Sequence, residues 1–236
     1  MGYEKHYGEE MSAERVQQVT MSKVYGWMTL ALMASALAAI YTASSETMLS
    51  LVFGNKFTFF GLLIAEVALV VYVSARLTRL SFGTAATLFG LYAVLNGVTM
   101  AAILLAYSAS TIYAAFFSTG LTFGVMSFVG YTTNRDLTGM GSFLLMALIG
   151  LIIGTLVNIF FHFTWLESLI TYAGLFIFVG LTAYDTQKVK NMLAYSEAAG
   201  LAVDTRKIAL VGALNLYLDF VNLFLYILRL LGSRRS

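Results

Sequence analysis

The sequence predicts an all-α membrane protein with seven transmembrane helices. Of its 236 residues, 59% are hydrophobic and 11% are charged, and the mean hydropathy is +0.82. Runs of about 20 apolar residues, the length of helix that crosses a bilayer core, recur along the whole chain. A transmembrane barrel would show short segments of alternating hydrophobicity instead, so helices are the expected spanning element.

The apolar runs define seven spans in order. We place them near 23–44, 57–77, 82–106, 111–132, 142–163, 167–187 and 207–231. The chain therefore divides into a polar cytoplasmic N-terminal tail (1–21), a seven-helix transmembrane domain (22–232) and a short basic C-terminal tail (233–236). We expect short connections except near 188–206. Because proline is absent, any broken helix would rely on the 20 glycines.

Lysine and arginine predict the orientation, because cytoplasmic loops of multi-pass proteins carry an excess of both. Ten lie on the side of the N-terminus, namely Lys5, Arg15, Lys23, Arg76, Arg79, Arg135, Lys188, Lys190, Arg206 and Lys207. Four lie opposite, namely Lys56, Arg229, Arg234 and Arg235. We predict a cytoplasmic N-terminus and an outside C-terminus. The three terminal arginines fit an alternative in which the last segment is re-entrant.

Several classes of function are disfavoured. Cysteine is absent, and His6 and His162 stand alone, which leaves no thiolate or metal cluster at ligand spacing. Scattered basic residues argue against nucleic acid as a partner. Intramembrane aspartyl proteases need Gly-x-Gly-Asp, which does not precede Asp219, and retinal proteins need a deep lysine where Lys207 is only at the edge of a span. We expect no enzymatic activity and no bound cofactor.

Three acids are the strongest candidates for a functional role. The chain has twelve carboxylates, and only Glu66, Asp185 and Asp219 lie inside apolar runs. A charge at membrane depth costs about 2.5–3.5 kcal/mol on insertion scales, so such residues usually have a partner or a role.

The seventh span carries a polar stripe. Its members recur at steps of three and four and so share one helix face: Gly212, Asn215, Asp219, Asn222 and Tyr226. Such a stripe is expected to face the bundle interior or a water-filled cavity. The alternative is that its amides are interhelical hydrogen-bond glue, which membrane bundles use routinely.

The two aspartates are candidates for a coupled pair. A symmetric hairpin about residue 202 places Asp185 and Asp219 at similar depth, although Asp185 alone could simply mark a cytoplasmic helix end. Two carboxylates close together in low dielectric cannot both ionise easily, so they share one proton. Oxygen ligands also suit a hard divalent ion, such as transiently bound calcium. The residues predict a proton switch, an ion site, or both.

Two arginines follow the third acid. Arg76 and Arg79 lie at the cytoplasmic end of the span that contains Glu66. One reading is that they snorkel to the interface. The other is that one of them pairs with Asp185 and locks a closed state.

Several motifs resemble one known family. The runs Thr182-Ala-Tyr-Asp185-Thr-Gln187 and Gly212-Ala-Leu-Asn-Leu-Tyr-Leu-Asp219-Phe-Val-Asn-Leu-Phe-Leu-Tyr-Ile-Leu-Arg229-Leu-Leu-Gly232 look like the signature of the Bax inhibitor-1 family. Tyr25-Gly-Trp-Met28 and Gly130-Tyr-Thr-Thr-Asn-Arg-Asp136 resemble its bacterial inner-membrane, YbhL-like branch. The resemblance covers essentially the whole chain after the tail.

The resemblance implies a fold with the last helix central and wrapped by the other six. It also implies a pH-sensitive calcium leak, gated by a diaspartyl pair that falls on Asp185 and Asp219, with Glu66 as the acid of the second span. The family has consecutive arginines where this chain has Ala75-Arg76-Leu77-Thr78-Arg79. The implied partners are the lipid bilayer, calcium and protons. The alternatives are a regulator of other membrane proteins, such as a membrane protease, and a proton-coupled cation exchanger.

Overall fold

The computed structural model describes residues 2–76, 79–198 and 204–232, and their regular structure is entirely α-helical. The helices are α1 (Gly2–Ser44), α2 (Glu46–Phe53), α3 (Lys56–Arg76), α4 (Phe82–Ala106), α5 (Ala109–Thr132), α6 (Thr138–Phe161), α7 (Thr164–Ala198) and α8 (Thr205–Leu231). Seven of these, all except α2, are long and apolar enough to cross a membrane. This confirms the predicted all-α class with seven spans.

Two helical segments differ from the prediction. The short helix α2 was missed because eight residues are too few to span, although Ser45 caps it by accepting a hydrogen bond from the Met48 amide at 3.3 Å. The predicted long connection at 188–206 is wrong over its first part, since α7 continues to Ala198. Val189 and Leu193 are buried in that extension, so an amphipathic turn continues where the apolar run stops. The predicted hairpin midpoint, residue 202, lies outside the described residues.

The chain divides into two compact units. The first contains Met1–Ser108 and Met192–Tyr217, and the second contains Ala109–Asn191 and Leu218–Ser236. Helices α7 and α8 each contribute to both units.

In the first unit, α4 packs against α1 and α3, and α2 packs against both α1 and α3. Small residues line the α1–α4 contact at four-residue spacing: Ala31, Ser35 and Ala39 on α1, and Ala93, Gly97 and Ala101 on α4. A Cβ atom on Gly97 would lie 2.7 Å from the Ser35 Cα atom, so only glycine permits this approach of the two backbones. Small residues at this spacing are a common basis of helix packing in membranes.

In the second unit, aromatic contacts join the helices. The Phe220 ring of α8 lies 5.4 Å from Phe123 and 5.7 Å from Phe116 on α5, both edge-on. On α7, Phe178 stacks on Tyr226 of α8 with ring centroids 5.8 Å apart. Helix α8 therefore has an aromatic face toward α5 and another toward α7.

Helix α8 is the most buried span. Among the described residues, 72% of its most apolar stretch is buried, against at most 44% in any of the other six spans. Its buried side chains include Leu210, Leu216, Tyr217, Leu223 and Leu228.

Candidate functional site

The two aspartates lie in the second unit, and their charges act on each other. Asp219 sits in the middle of α8 with only 3% of its surface exposed, whereas Asp185 on α7 is half-buried. Among charged groups, Asp185 acts most strongly on Asp219, and Lys188, one turn further along α7, acts on both carboxyl groups. The two carboxylates that the sequence pairs thus lie on two helices of one unit, while their pairing and their role as a gate stay predictions.

Asp219 is incompletely satisfied. Its Oδ2 atom is buried and has no hydrogen-bond partner among the described residues. A buried carboxylate in this condition is costly unless a proton, a cation or water neutralises or solvates it. The Lys188 ammonium lies over the Tyr184 ring at 5.7 Å from the centroid, and among the described residues no ion pair joins it to Asp219. The pair is therefore suited to exchange a small cationic ligand.

One face of α7 holds Asp185 in place. The backbone of Ala183 lies against Gly130 of α5, where an added Cβ atom would come within 2.8 Å of the Ala183 carbonyl carbon. One turn on, the Gln187 side chain accepts a hydrogen bond from the Leu137 amide and donates one to the Arg135 carbonyl, each at 2.8 Å. We call this bridge the Gln187 clamp. It ties α7 to the loop between α5 and α6.

Two further contacts extend the support of Asp185. The Lys190 ammonium donates a hydrogen bond to the Tyr131 carbonyl at 2.8 Å and lies 5.3 Å from the centre of that ring. Next to Asp185 in sequence, the Thr186 hydroxyl donates to the Thr182 carbonyl and lies 3.2 Å from the Ser127 hydroxyl of α5. Polar contacts thus fix α7 against α5 just after the aspartate in sequence, and the Ala183–Gly130 backbone contact lies just before it.

The predicted polar stripe of α8 is divided between buried and half-exposed positions. Gly212 and Asp219 are buried, whereas Asn215, Asn222 and Tyr226 are half-exposed. The Asn222 amide donates to the Leu218 carbonyl of its own helix at 2.8 Å, which differs from the interhelical bond that a glue role requires. Asp219 is therefore the only member of this stripe with a buried polar side chain.

Glu66 is buried in the first unit, and the arginines that follow it are exposed. Its Oε2 atom lies 3.4 Å from the Asn96 amide nitrogen, and its buried Oε1 atom has no partner among the described residues. Arg76 ends α3 with its guanidinium 5.7 Å from the Tyr72 ring centre. Arg79 is also exposed, and the intervening residues 77–78 lie outside the described ranges. The proposed arginine latch on Asp185 stays a prediction.

Comparison with known proteins identifies the family. A family model described as "Inhibitor of apoptosis-promoting Bax1" matches residues 17–236. The chain belongs to the Bax inhibitor family. It is 46% identical over 224 residues to the inner membrane protein YbhL of Escherichia coli, covering 92% of this chain and 93% of that protein. An uncharacterized protein of Borreliella burgdorferi is 43% identical over 219 residues, which covers 92% of each chain.

The family assignment made from the motifs is confirmed. In the structure, two of those motifs contact each other. The run 130–136 contains Gly130, which contacts Ala183, and Arg135, whose carbonyl accepts a hydrogen bond from Gln187. Ala183 and Gln187 both belong to the run 182–187. Sequence reasoning assigned no role to Gln187, although it stands inside a quoted motif. It also missed Ser35, Asn96 and Tyr217, which lie in different spans and carry no local signal.

Proposed function

We propose that this protein is a pH-sensitive cation leak channel of the bacterial inner membrane, with calcium as the permeant ion. The gate is the pair formed by Asp185 and Asp219. The observation that carries the proposal is the buried, incompletely hydrogen-bonded carboxylate of Asp219 in the field of Asp185. The inner-membrane location is supported by the similarity to YbhL, which is an inner membrane protein.

The gate operates by the charge of the pair. One shared proton leaves the two carboxyl groups with a single negative charge, which favours their close approach. Loss of that proton leaves two negative charges in a poorly solvated place, which repel each other and attract a hard cation such as calcium. The pore is therefore shut when the pair shares a proton and opens when the proton leaves.

Helix α8 is the element that moves. On the α7 side, the Gln187 clamp and the Lys190 contact attach the helix to the segment at 130–137. On the α8 side, the Asn222 amide, three residues after Asp219, donates its hydrogen bond to the Leu218 carbonyl of its own helix. Because polar contacts anchor α7 to the segment at 130–137, repulsion between the carboxylates acts on α8.

Flux through the purified protein tests this function. In proteoliposomes that enclose a calcium-sensitive dye, the natural protein should conduct calcium with a rate that depends on pH, and Asp219→Asn should remove that dependence. Asp204→Asn is the matched control, because Asp204 is a surface carboxylate paired with Arg206 at 3.0 Å. Asp219→Asn with the natural pH profile would refute the gate. Cation flux coupled to protons in fixed stoichiometry would identify an exchanger. Absence of any flux would favour the alternative function, a regulator of other membrane proteins.

The predicted orientation belongs to the same proposal, because it decides which side of the membrane the pair senses. The chain contains no cysteine, so single-cysteine variants carry one label each. Thr47→Cys on α2 and Asn134→Cys between α5 and α6 are both exposed positions. With the N-terminus in the cytoplasm, a membrane-impermeant maleimide added to intact cells stripped of their outer membrane should label position 47 only. Labelling of position 134 alone would reverse the orientation.

A further inference from the structure

Four polar side chains of the first unit, three of them buried and one (Asn96) half-buried, form a continuous hydrogen-bonded chain. We call it the Glu66 chain: Glu66 on α3, Asn96 on α4, Tyr217 on α8 and Ser35 on α1. The Asn96 amide nitrogen lies 3.4 Å from Glu66 Oε2, and its Oδ1 atom accepts a hydrogen bond from the Tyr217 hydroxyl at 3.0 Å. The Tyr217 and Ser35 hydroxyl oxygens are 2.7 Å apart. Four helices are thereby joined by one path of hydrogen bonds.

The packing around the chain keeps its members in position. Tyr217 is fully buried, and its ring lies edge-on to Phe89 and Tyr92 at centroid distances of 5.7 and 5.8 Å. Its hydroxyl must therefore find its partners within the protein. Ser35 is brought to it by the close approach of α1 to Gly97, and its hydroxyl also lies 2.7 Å from the Ala93 carbonyl oxygen.

With Glu66 ionised, the hydrogens point in one direction along the chain. The Asn96 amide nitrogen donates to the carboxylate, Tyr217 donates to the Asn96 carbonyl oxygen, and Ser35 donates to the Tyr217 oxygen. Every hydroxyl and amide in the chain then has a partner. Ser35 has a single hydrogen, so in this arrangement it does not donate to the Ala93 carbonyl.

A proton on Glu66 permits the opposite direction. The Asn96 side-chain amide rotates by half a turn, which exchanges its oxygen and nitrogen within the same outline. Glu66 then donates to the Asn96 oxygen, the Asn96 nitrogen donates to Tyr217, Tyr217 donates to Ser35, and Ser35 donates to the Ala93 carbonyl at 2.7 Å. The only net change is one proton added to the carboxylate. The second arrangement also leaves every hydroxyl and amide with a partner.

We propose that Glu66 is a proton-binding site whose occupancy reverses the direction of the hydrogen bonds along the Glu66 chain, so that α3, α4, α8 and α1 respond to one proton. Within this unit the titratable groups facing Glu66 are Tyr92 on α4 and Tyr217 on α8. Both are neutral at physiological pH, because tyrosine ordinarily ionises near pH 10. Helix α1 contributes the Ser35 hydroxyl to the Glu66 chain. The Glu66 chain shares no residue with the gate formed by Asp185 and Asp219.

Vibrational spectroscopy of the full-length protein in lipid tests the reversal without measuring flux. The carbon–oxygen stretch of tyrosine reports whether its hydroxyl donates to a carbonyl or to another hydroxyl, and the Tyr217→Phe variant defines which part of the spectrum belongs to Tyr217. In the natural protein this band should shift between acidic and neutral pH. The shift should be lost in Glu66→Gln, which cannot ionise. It should persist in Tyr92→Phe, a matched control whose ring contacts Tyr217 without being a member of the chain.

Ser35→Ala supplies a second, directional test. Without the serine, Tyr217 keeps its acceptor on Asn96 but loses the one that the protonated arrangement needs. A buried hydroxyl with no acceptor is strongly disfavoured, so the protonated arrangement is destabilised. The proton concentration at which half of Glu66 is protonated, read from its carboxylic acid band, should therefore rise roughly tenfold. A Tyr217 band that does not respond to pH in the natural protein, or that still shifts in Glu66→Gln, would overturn the proposal. So would unchanged protonation of Glu66 in Ser35→Ala.

Discussion

Gly130→Ala should separate α5 from α7 next to the aspartate pair. The added methyl group would overlap the Ala183 carbonyl oxygen and lie 2.8 Å from the carbonyl carbon and from the Cα atom. These are backbone atoms, so relief requires moving a helix and not merely rotating a side chain. Non-bonded carbon atoms prefer about 3.5–4.0 Å, so the helices must part locally by roughly 1 Å. Overpacking of a well-packed interior on this scale typically costs about 1–3 kcal/mol.

The matched control for this variant is Gly124→Ala on the same helix. Gly124 is exposed, and an added Cβ atom would meet nothing within 4 Å. Both variants gain the same intrinsic helix propensity, about 1 kcal/mol relative to glycine, so the difference between them isolates the steric cost. At about 2–4 °C per kcal/mol for a chain of this size, Gly130→Ala should melt roughly 2–12 °C below Gly124→Ala.

Thermal unfolding in one detergent, followed by tryptophan fluorescence, measures that difference. The same pair of variants in the calcium flux assay tests the functional consequence, because Ala183 lies two residues before Asp185. We expect Gly130→Ala to alter the pH profile of flux and Gly124→Ala to leave it unchanged. Equal melting temperatures for the two variants would show that the α5–α7 contact does not have the rigidity inferred from the backbone distances.

Three further variants test other contacts. Gly97→Ala should melt below Gly90→Ala, which meets nothing within 4 Å, because the first overlaps the α1 backbone. Gln187→Leu removes both bonds of the Gln187 clamp and should lower stability by about 1–3 kcal/mol in the same melting assay, and an unchanged melting temperature would contradict the clamp. Bonds from the Thr138 hydroxyl and amide hold the pKa of Asp136 below its usual 3.8, so the turn before α6 is stabilised above that pH and loses the bonds as pH falls below it. The Thr138 amide resonance should follow that titration, and Asp136→Asn should abolish it.

The seven spans were predictable because bilayer thickness imposes a length on apolar helices. Their ends were predictable only where the apolar run and the helix stop together. At α7 they do not. The apolar run ends near residue 187, but the helix continues, with Val189 and Leu193 buried among polar neighbours. Helix α2 was unpredictable by the same criterion, because an eight-residue apolar stretch after Ser45 has no spanning signal.

The candidate site was predictable in its charges but not in its partners. The cost of burying a carboxylate marks Asp185, Asp219 and Glu66 in any single sequence, since so few acids lie within apolar runs. Hydrogen-bond partners depend on which helix faces meet. Ser35 and Tyr217 are 182 positions apart and each lies in a largely apolar span, so their contact at 2.7 Å has no counterpart in local sequence.

The unequal lengths of the spans have a consequence for the lipid that surrounds this protein. At 1.5 Å per residue, the 35 residues of α7 extend about 52 Å, whereas the 21 residues of α3 extend about 32 Å, close to a 30 Å hydrocarbon core. The longer helix extends several turns beyond the hydrocarbon core, so it tolerates a change in bilayer thickness. The shorter one has none, so thickening the membrane produces hydrophobic mismatch at α3 first. Helix α3 carries Glu66, and acyl-chain length in the host membrane is therefore expected to act on proton uptake at that residue.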